Sequence, residues 1–126
     1  MKKIIETKNA PSPVGPYNQA IIANGILYCS GQIAIDPASG ELITDDITKE
    51  TTQVMNNIKA ILQAAGSSFE QVIKCSIFMA DMNDYAAINS VYAKYFDEAT
   101  APAREAVEVA NLPKFVHVEI SCMALV

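Results

Sequence analysis

The sequence predicts an α+β fold, with two helices laid across one face of a mixed sheet in the order β-β-β-α-β-α-β-β. Three observations predict it. The stretch from Ile47 to Ala65 carries its apolar residues at helical spacing, and a second stripe follows from Ile88 to Tyr95. The segments 71–80 and 115–126 alternate with a period of two, as strands do. The final strand has one wholly apolar face and one mixed face. Two helices cover only one side of a sheet, so the mixed side is left for another subunit to cover.

The elements follow in chain order. Ala10-Pro11-Ser12-Pro13-Val14-Gly15-Pro16 holds too much proline for a helix or central strand and reads as an ordered loop. Gln19–Ala23 and Ile26–Ser30 flank Asn24-Gly25, whose residue types suit the two positive-φ positions of a type I′ hairpin. Asp36 to Gly40 is a turn. In the first helix Ile47, Val54, Ile58, Ile61, Leu62 and Ala65 form one stripe, and Gly66 stops it. In the strand from Gln71 to Ala80, Ile73, Cys75, Ile77 and Met79 share one side; Val72, Lys74, Ser76 and Phe78 share the other.

Asn83 or Asp84 caps a second helix running to about Phe96, with Ile88, Val91, Tyr92 and Tyr95 as its buried stripe and Asn89 outside it. Arg104–Val109 and Phe115–Val126 are two more strands, joined across Asn111-Leu112-Pro113. In the last strand Val116, Val118, Ile120, Cys122, Ala124 and Val126 face the helices; Phe115, His117, Glu119, Ser121, Met123 and Leu125 make the mixed face. No internal repeat or boundary divides the chain, so residues 1–126 are expected to form a single domain.

Composition excludes several function classes. The chain has 126 residues, 51% of them apolar, and a net charge of -5. Its lysines are scattered, which argues against a nucleic-acid surface. No apolar run reaches the length of a membrane span, and the start lacks the apolar core of a signal peptide, so a cytoplasmic location is expected. Cys29, Cys75 and Cys122 are widely spaced with no Cys-x-x-Cys, as reduced buried thiols would be. The lone His117 makes a multi-histidine metal site impossible, and no phosphate-binding loop, Gly-x-Ser-x-Gly or metal signature is present.

What remains is a small polar set. Arg104 is the only arginine, and its planar fork matches a carboxylate at two points, which lysine cannot do. A surface ion pair explains one arginine equally well. Glu119 puts a carboxylate inside a strongly apolar strand, where an exposed pair with lysine is the competing reading. Tyr17 follows a rigid loop, a setting in which tyrosines more often pack than bind. Ser30-Gly31-Gln32 places a glycine within a strand, the mark of a bulge or a close approach. His117 shares the face of Glu119 but reads as structural, and no cysteine lies beside a histidine or arginine in sequence that would activate it.

The runs Ala-Pro-Ser-Pro-Val-Gly-Pro-Tyr-Asn-Gln-Ala, Tyr-Cys-Ser-Gly-Gln-Ile-Ala-Ile-Asp-Pro, Ala-Pro-Ala-Arg-Glu-Ala-Val-Glu-Val and Leu-Pro with Val-Glu-Ile closely resemble the RidA/YjgF family. They match in order across nearly the whole chain. The resemblance implies a chorismate-mutase-like fold and a homotrimer whose sheets form a central barrel with the helices outside. It implies hydrolysis of 2-imino acids such as 2-iminobutanoate and 2-iminopropanoate to 2-oxo acids and ammonia, without metal or cofactor, in clefts between subunits. By position, Arg104 would hold the substrate carboxylate and Glu119 would orient the attacking water. Tyr17, Ser30, Gly31 and Asn89 would line the cleft, and the backbone carbonyl of Ala106 would meet the imine nitrogen.

Ala106 stands where many members of the deaminase group have cysteine, and Asn18 and Glu105 replace commoner small residues. Three other readings stay open on sequence alone. One is a non-catalytic module that binds a small 2-oxo acid. Another is a nuclease or translation inhibitor, which the acidic balance disfavours. The third is an interaction role at the trimer surface.

Overall fold

The computed structural model describes every residue from Met1 to Val126. Six strands and two helices alternate as β1 (Lys3–Ile5), β2 (Ala20–Ala23), β3 (Ile26–Gln32), α1 (Ile47–Ala64), β4 (Val72–Met79), α2 (Tyr85–Tyr92), β5 (Ala103–Glu108) and β6 (Val118–Leu125). They form one sheet in the order β1-β2-β3-β6-β4-β5. Every neighbouring pair is antiparallel except β4 and β5. A parallel pair needs a crossover, and α2 supplies it.

Local chemistry sets the boundaries. Asn24 and Gly25 take φ values of 51° and 77°, and this tight turn pairs β2 with β3. The Asp46 side chain accepts the backbone N–H groups of Thr48 and Lys49, which opens α1. Gly66, at φ 76°, ends that helix.

Both helices lie on the same face of the sheet. Val54, Ile58, Ile61 and Leu62 of α1 meet Leu27, Cys29, Cys75, Ile77, Ile120 and Cys122 in a continuous apolar core, with Ile88 and Tyr92 of α2 at its edge. Burial alternates through β6, with Val118, Ile120, Cys122 and Ala124 inside. The opposite face stays open. Tyr28 and Val107 are exposed there, beside a Lys74–Glu105 ion pair at 2.8 Å that also takes in Ser76. Hydrogen bonds from Lys74 and then Ser76 hold the Glu105 carboxyl below its usual range. No helix is long and apolar enough to cross a membrane.

Four expectations shift. In β4 the register jumps between Val72 and Lys74, so Val72 is buried and Ile73 is exposed, the reverse of strict alternation. A bulge absorbs the extra residue. The second helix starts just after Asp84, as read, but that side chain makes no capping bond, and the helix ends sooner than its apolar stripe. Asp81 caps a 3₁₀ turn over Met82–Asp84, α2 proper spans Tyr85–Tyr92, and Ala93–Tyr95 tighten into a 3₁₀ turn. The last strand starts at Val118 rather than Phe115, because Lys114 and Phe115 both sit at φ 55° in a turn that no strand can continue. Val126 lies beyond β6 and is exposed rather than facing the helices.

Candidate active site in two halves

The first half sits at the free edge of the sheet. Arg104 pairs in register with Cys75 of β4, so its side chain leaves on the helix face and runs under α2. One terminal nitrogen donates to Asn89 Oδ1 at 2.7 Å and the other to Tyr85 Oη at 2.7 Å. The guanidinium carbon lies 5.0 Å from the ring centre of Tyr92 and 5.7 Å from that of Tyr85. Arginine commonly stacks on such faces. No carboxylate of the chain pairs with it, since the ion pairs involve Lys49, Lys74 and His117. Arg104 is therefore half-buried, held by neutral oxygens and aromatic faces, and its charge is uncompensated.

Ala106 stands two residues along β5. Val109 N–H donates to Met79 O, toward β4. Backbone groups alternate direction along a strand, so the N–H and C=O of Arg104 and Ala106 turn outward from the unpaired edge. The Ala106 carbonyl is thus free to accept, whatever side chain the residue carries.

The second half lies near the start of β6, on the open face. Glu119 pairs with Phe78 and points away from the helices. It shares a recess with Tyr17, Gly31 and the loop residues Pro11 to Val14. Burial raises its carboxyl above the ordinary value of 4.5. The ladder between β3 and β6 slips between Cys29 and Gln32, and Gly31 falls in that bulge. A Cβ on Gly31 would overlap the Glu119 carboxylate, so the glycine is what lets Glu119 lie across the strand. Ser30 donates through Oγ to Asn18 O at 2.6 Å, and its N–H reaches Gln19 O at 2.9 Å. Tyr17 Oη accepts the Val14 N–H at 3.4 Å.

The seven residues singled out in the sequence thus fall into two groups. Arg104, Asn89 and Ala106 gather at the β5 edge; Tyr17, Ser30, Gly31 and Glu119 gather near β3 and β6. Arg104 and Glu119 lie two strand spacings and three residues apart, roughly 14 Å between backbone positions, on opposite faces of the sheet. Within one chain they cannot touch one ligand.

Three contributors were not visible in the sequence. Tyr85 grips Arg104, and only its four-residue spacing from Asn89 on one helix face hinted at a shared target. Gln19 is buried and pins the proline-rich loop, accepting from Thr7 N–H and donating to the carbonyls of Thr7, Ala10 and Pro11. Glu50 is fully buried in α1 yet reaches β6, accepting the N–H groups of His117 and Val118 at 2.8 and 3.1 Å, with His117 Nδ1 2.7 Å from its other oxygen. That places His117 in a structural clamp beside Glu119.

The three cysteines are free and buried. Cys29 pairs across the strands with Cys122, and Cys122 with Cys75. Burial pushes the Cys75 thiol up to about 12, and contact with Cys29 followed by burial raises that of Cys122. Protonated thiols of this kind are poor nucleophiles.

Known proteins supply the wider context. The family model described as Endoribonuclease L-PSP matches residues 7–126. A Yersinia pestis protein of unknown function from the conserved Rid family superposes with a TM-score of 0.97 at 50% identity, covering 100% of both chains. This chain belongs to the RidA/YjgF family. A RutC family protein from Synechocystis is 55% identical over 98% of this chain and 95% of its own length. A 2-iminobutanoate/2-iminopropanoate deaminase from Capra hircus is 44% identical over 99% of this chain and 90% of its own. The Escherichia coli protein TdcF, solved with bound serine, superposes with a TM-score of 0.92 at 43% identity over 98% of each chain.

Proposed function

We propose that this RidA/YjgF member hydrolyses 2-imino acids, with 2-iminobutanoate and 2-iminopropanoate as the substrate class, at clefts formed between copies of the chain. One observation carries the reading. The only arginine is half-buried, faces neutral partners alone, and so waits for an anion. The deaminase named among the relatives acts on substrates that present such a carboxylate, and the serine bound to TdcF presents one too.

The chemistry needs the two halves together. Arg104 of one subunit binds the substrate carboxylate through its fork, a charge-assisted pair contributing about 1.5–3 kcal/mol. The outward carbonyl of Ala106 accepts an iminium N–H and favours the protonated imine. Glu119 of a neighbouring subunit takes a proton from water as the oxygen attacks the imine carbon, an effect worth roughly 10²–10⁴ in rate. The carbinolamine collapses once that proton reaches the amine: the C–N bond breaks, Glu119 accepts the hydroxyl proton, and ammonia leaves a 2-oxo acid. Water supplies the oxygen, so no redox step enters. Tyr17 and Ser30 border the Glu119 side of the cleft.

The same geometry supports a homotrimer. A closed cyclic arrangement sets the β5 edge of each subunit against the Glu119 recess of the next and covers the open sheet face. Cleavage of RNA, the activity in the family model's description, finds no support in a chain of net charge -5 with scattered lysines.

The test generates 2-iminobutanoate with an amino-acid oxidase and follows its loss, with and without the protein, by trapping the remaining imine. Accelerated loss with matching ammonia release supports the deaminase. Binding of 2-oxobutanoate without acceleration supports a sensor in its place. Light scattering measures the trimer independently.

A further inference from the structure

We propose that Tyr85 is a positioning residue of the anion site: with Asn89 it fixes the rotation of the Arg104 fork while leaving its charge unspent. The inference rests on reading Arg104 as the ligand's carboxylate clamp.

Three features point to it. Tyr85 and Asn89 are four residues apart on one face of α2, and each accepts from a different terminal nitrogen of Arg104 at 2.7 Å. Two contacts on a planar group fix its rotation, which a single contact would not. The guanidinium has five donors, so the two it gives to α2 leave three for a ligand. Tyr92 lies against the same cation and limits its remaining freedom.

The type of acceptor matters as much as its place. Both partners are neutral oxygens. An aspartate at 89 would hold the arginine as firmly but neutralise it, and an incoming carboxylate would then compete with a partner already bound. The phenol of Tyr85 accepts from the cation, and no group of the chain accepts its own proton in turn. It therefore adds a dipole without adding a negative charge. Function at this site thus asks for two properties of α2: oxygens at the right spacing, and no carboxylate among them.

The experiment uses Tyr85→Phe and Asn89→Asp in the full chain. Binding of 2-oxobutanoate is measured by calorimetry, and imine turnover alongside it. Tyr85→Phe keeps the ring and removes the acceptor. The expected result is about tenfold weaker 2-oxobutanoate binding and a matching rise in KM, with kcat within about twofold of wild type. Asn89→Asp keeps the shape and adds the charge, and is expected to weaken 2-oxobutanoate by at least about tenfold. Tyr85→His, which returns an acceptor at the ring edge, should recover part of the affinity.

The proposal is overturned if Tyr85→Phe binds 2-oxobutanoate as wild type does, or if its loss falls on kcat alone. It is also overturned if Asn89→Asp binds normally, a result that stands even if the tyrosine variant fails to fold. If the wild type binds 2-oxobutanoate but turns over no imine, the deaminase reading fails and the binding arm still decides the role of Tyr85. If the wild type binds no 2-oxo acid, there is no clamp to position and this inference fails too.

Discussion

Replacing Gly31 with alanine separates the placement of Glu119 from the stability of the fold. A Cβ at position 31 would stand 2.8 Å from Cδ and 3.1 Å from Cγ of Glu119, and nearer still to Oε2. Gly31 is not among the positive-φ residues, so alanine meets no backbone strain there. The whole penalty falls on one half-buried side chain, which must leave its rotamer. That costs about 1 kcal/mol and lowers the melting temperature by only about 3–5 °C in a chain of this length. Under the proposed mechanism catalysis loses far more, because a displaced general base forfeits its contribution of roughly 10²–10⁴ in rate. Gly31→Ala should therefore lower kcat at least about a hundredfold while remaining folded. Adding Glu119→Gln to it should cost little further, since both changes remove the same function. The assay pairs imine trapping with thermal unfolding. A Gly31→Ala protein with kcat within about threefold of wild type, whatever its stability, would show that the placement of Glu119 does not matter for turnover.

Three more outcomes follow from the same contacts. Arg104→Lys keeps the charge but loses the fork, so kcat/KM should fall roughly 10–100-fold, as steady-state kinetics would show. Glu50→Ala orphans two backbone N–H groups at the start of β6 and should cost about 3 kcal/mol, or about 10 °C by thermal melting; Glu50→Gln, which keeps an acceptor, should lose much less. The pH dependence carries a definite sign. Burial raises Glu119 above 4.5, and its proposed role as base needs the ionised form, so kcat/KM should rise with pH through that raised value and then level off. The folded state holds this proton more tightly than the unfolded chain does. Its stability therefore falls slightly as pH rises from about 4.5 through the same range. A Glu119→Gln variant with an unchanged acid limb would assign that limb to another group.

Much of the fold was legible because its signals are local. The period of α1, the Asn24-Gly25 turn and the alternation of β6 each require only a few neighbouring residues, and each appears as read. The failures lie where a residue's state depends on something distant. The bulge at Ile73 is set by pairing with β6, fifty residues on. The left-handed pair Lys114-Phe115 contradicts local preference, so alternation began the last strand at Phe115. The candidate site divides in the same way. Gly31 announced a close approach because glycine in a strand is a local anomaly, whereas what approaches it, Glu119, comes from another strand. Arg104 stood out by composition. Its helper Tyr85 did not, since a tyrosine opening a helix has no unusual signature. Strand parity alone also put Arg104 and Glu119 in different strands without revealing their opposite faces, which depends on the register through β4.

Subunit mixing shows whether one cleft draws Arg104 and Glu119 from two different chains. Arg104→Ala, which removes both fork and charge, and Glu119→Gln are each expected to be nearly inactive alone. Unfolded together in equal amounts and refolded, they form mixed oligomers in which some clefts receive a native Arg104 half from one subunit and a native Glu119 half from its neighbour. Random assembly in a cyclic oligomer makes about a quarter of the clefts whole, so about a quarter of wild-type activity should return. If the mixture stays as inactive as its parents while still assembling, each site lies within a single chain and no cleft is shared between subunits.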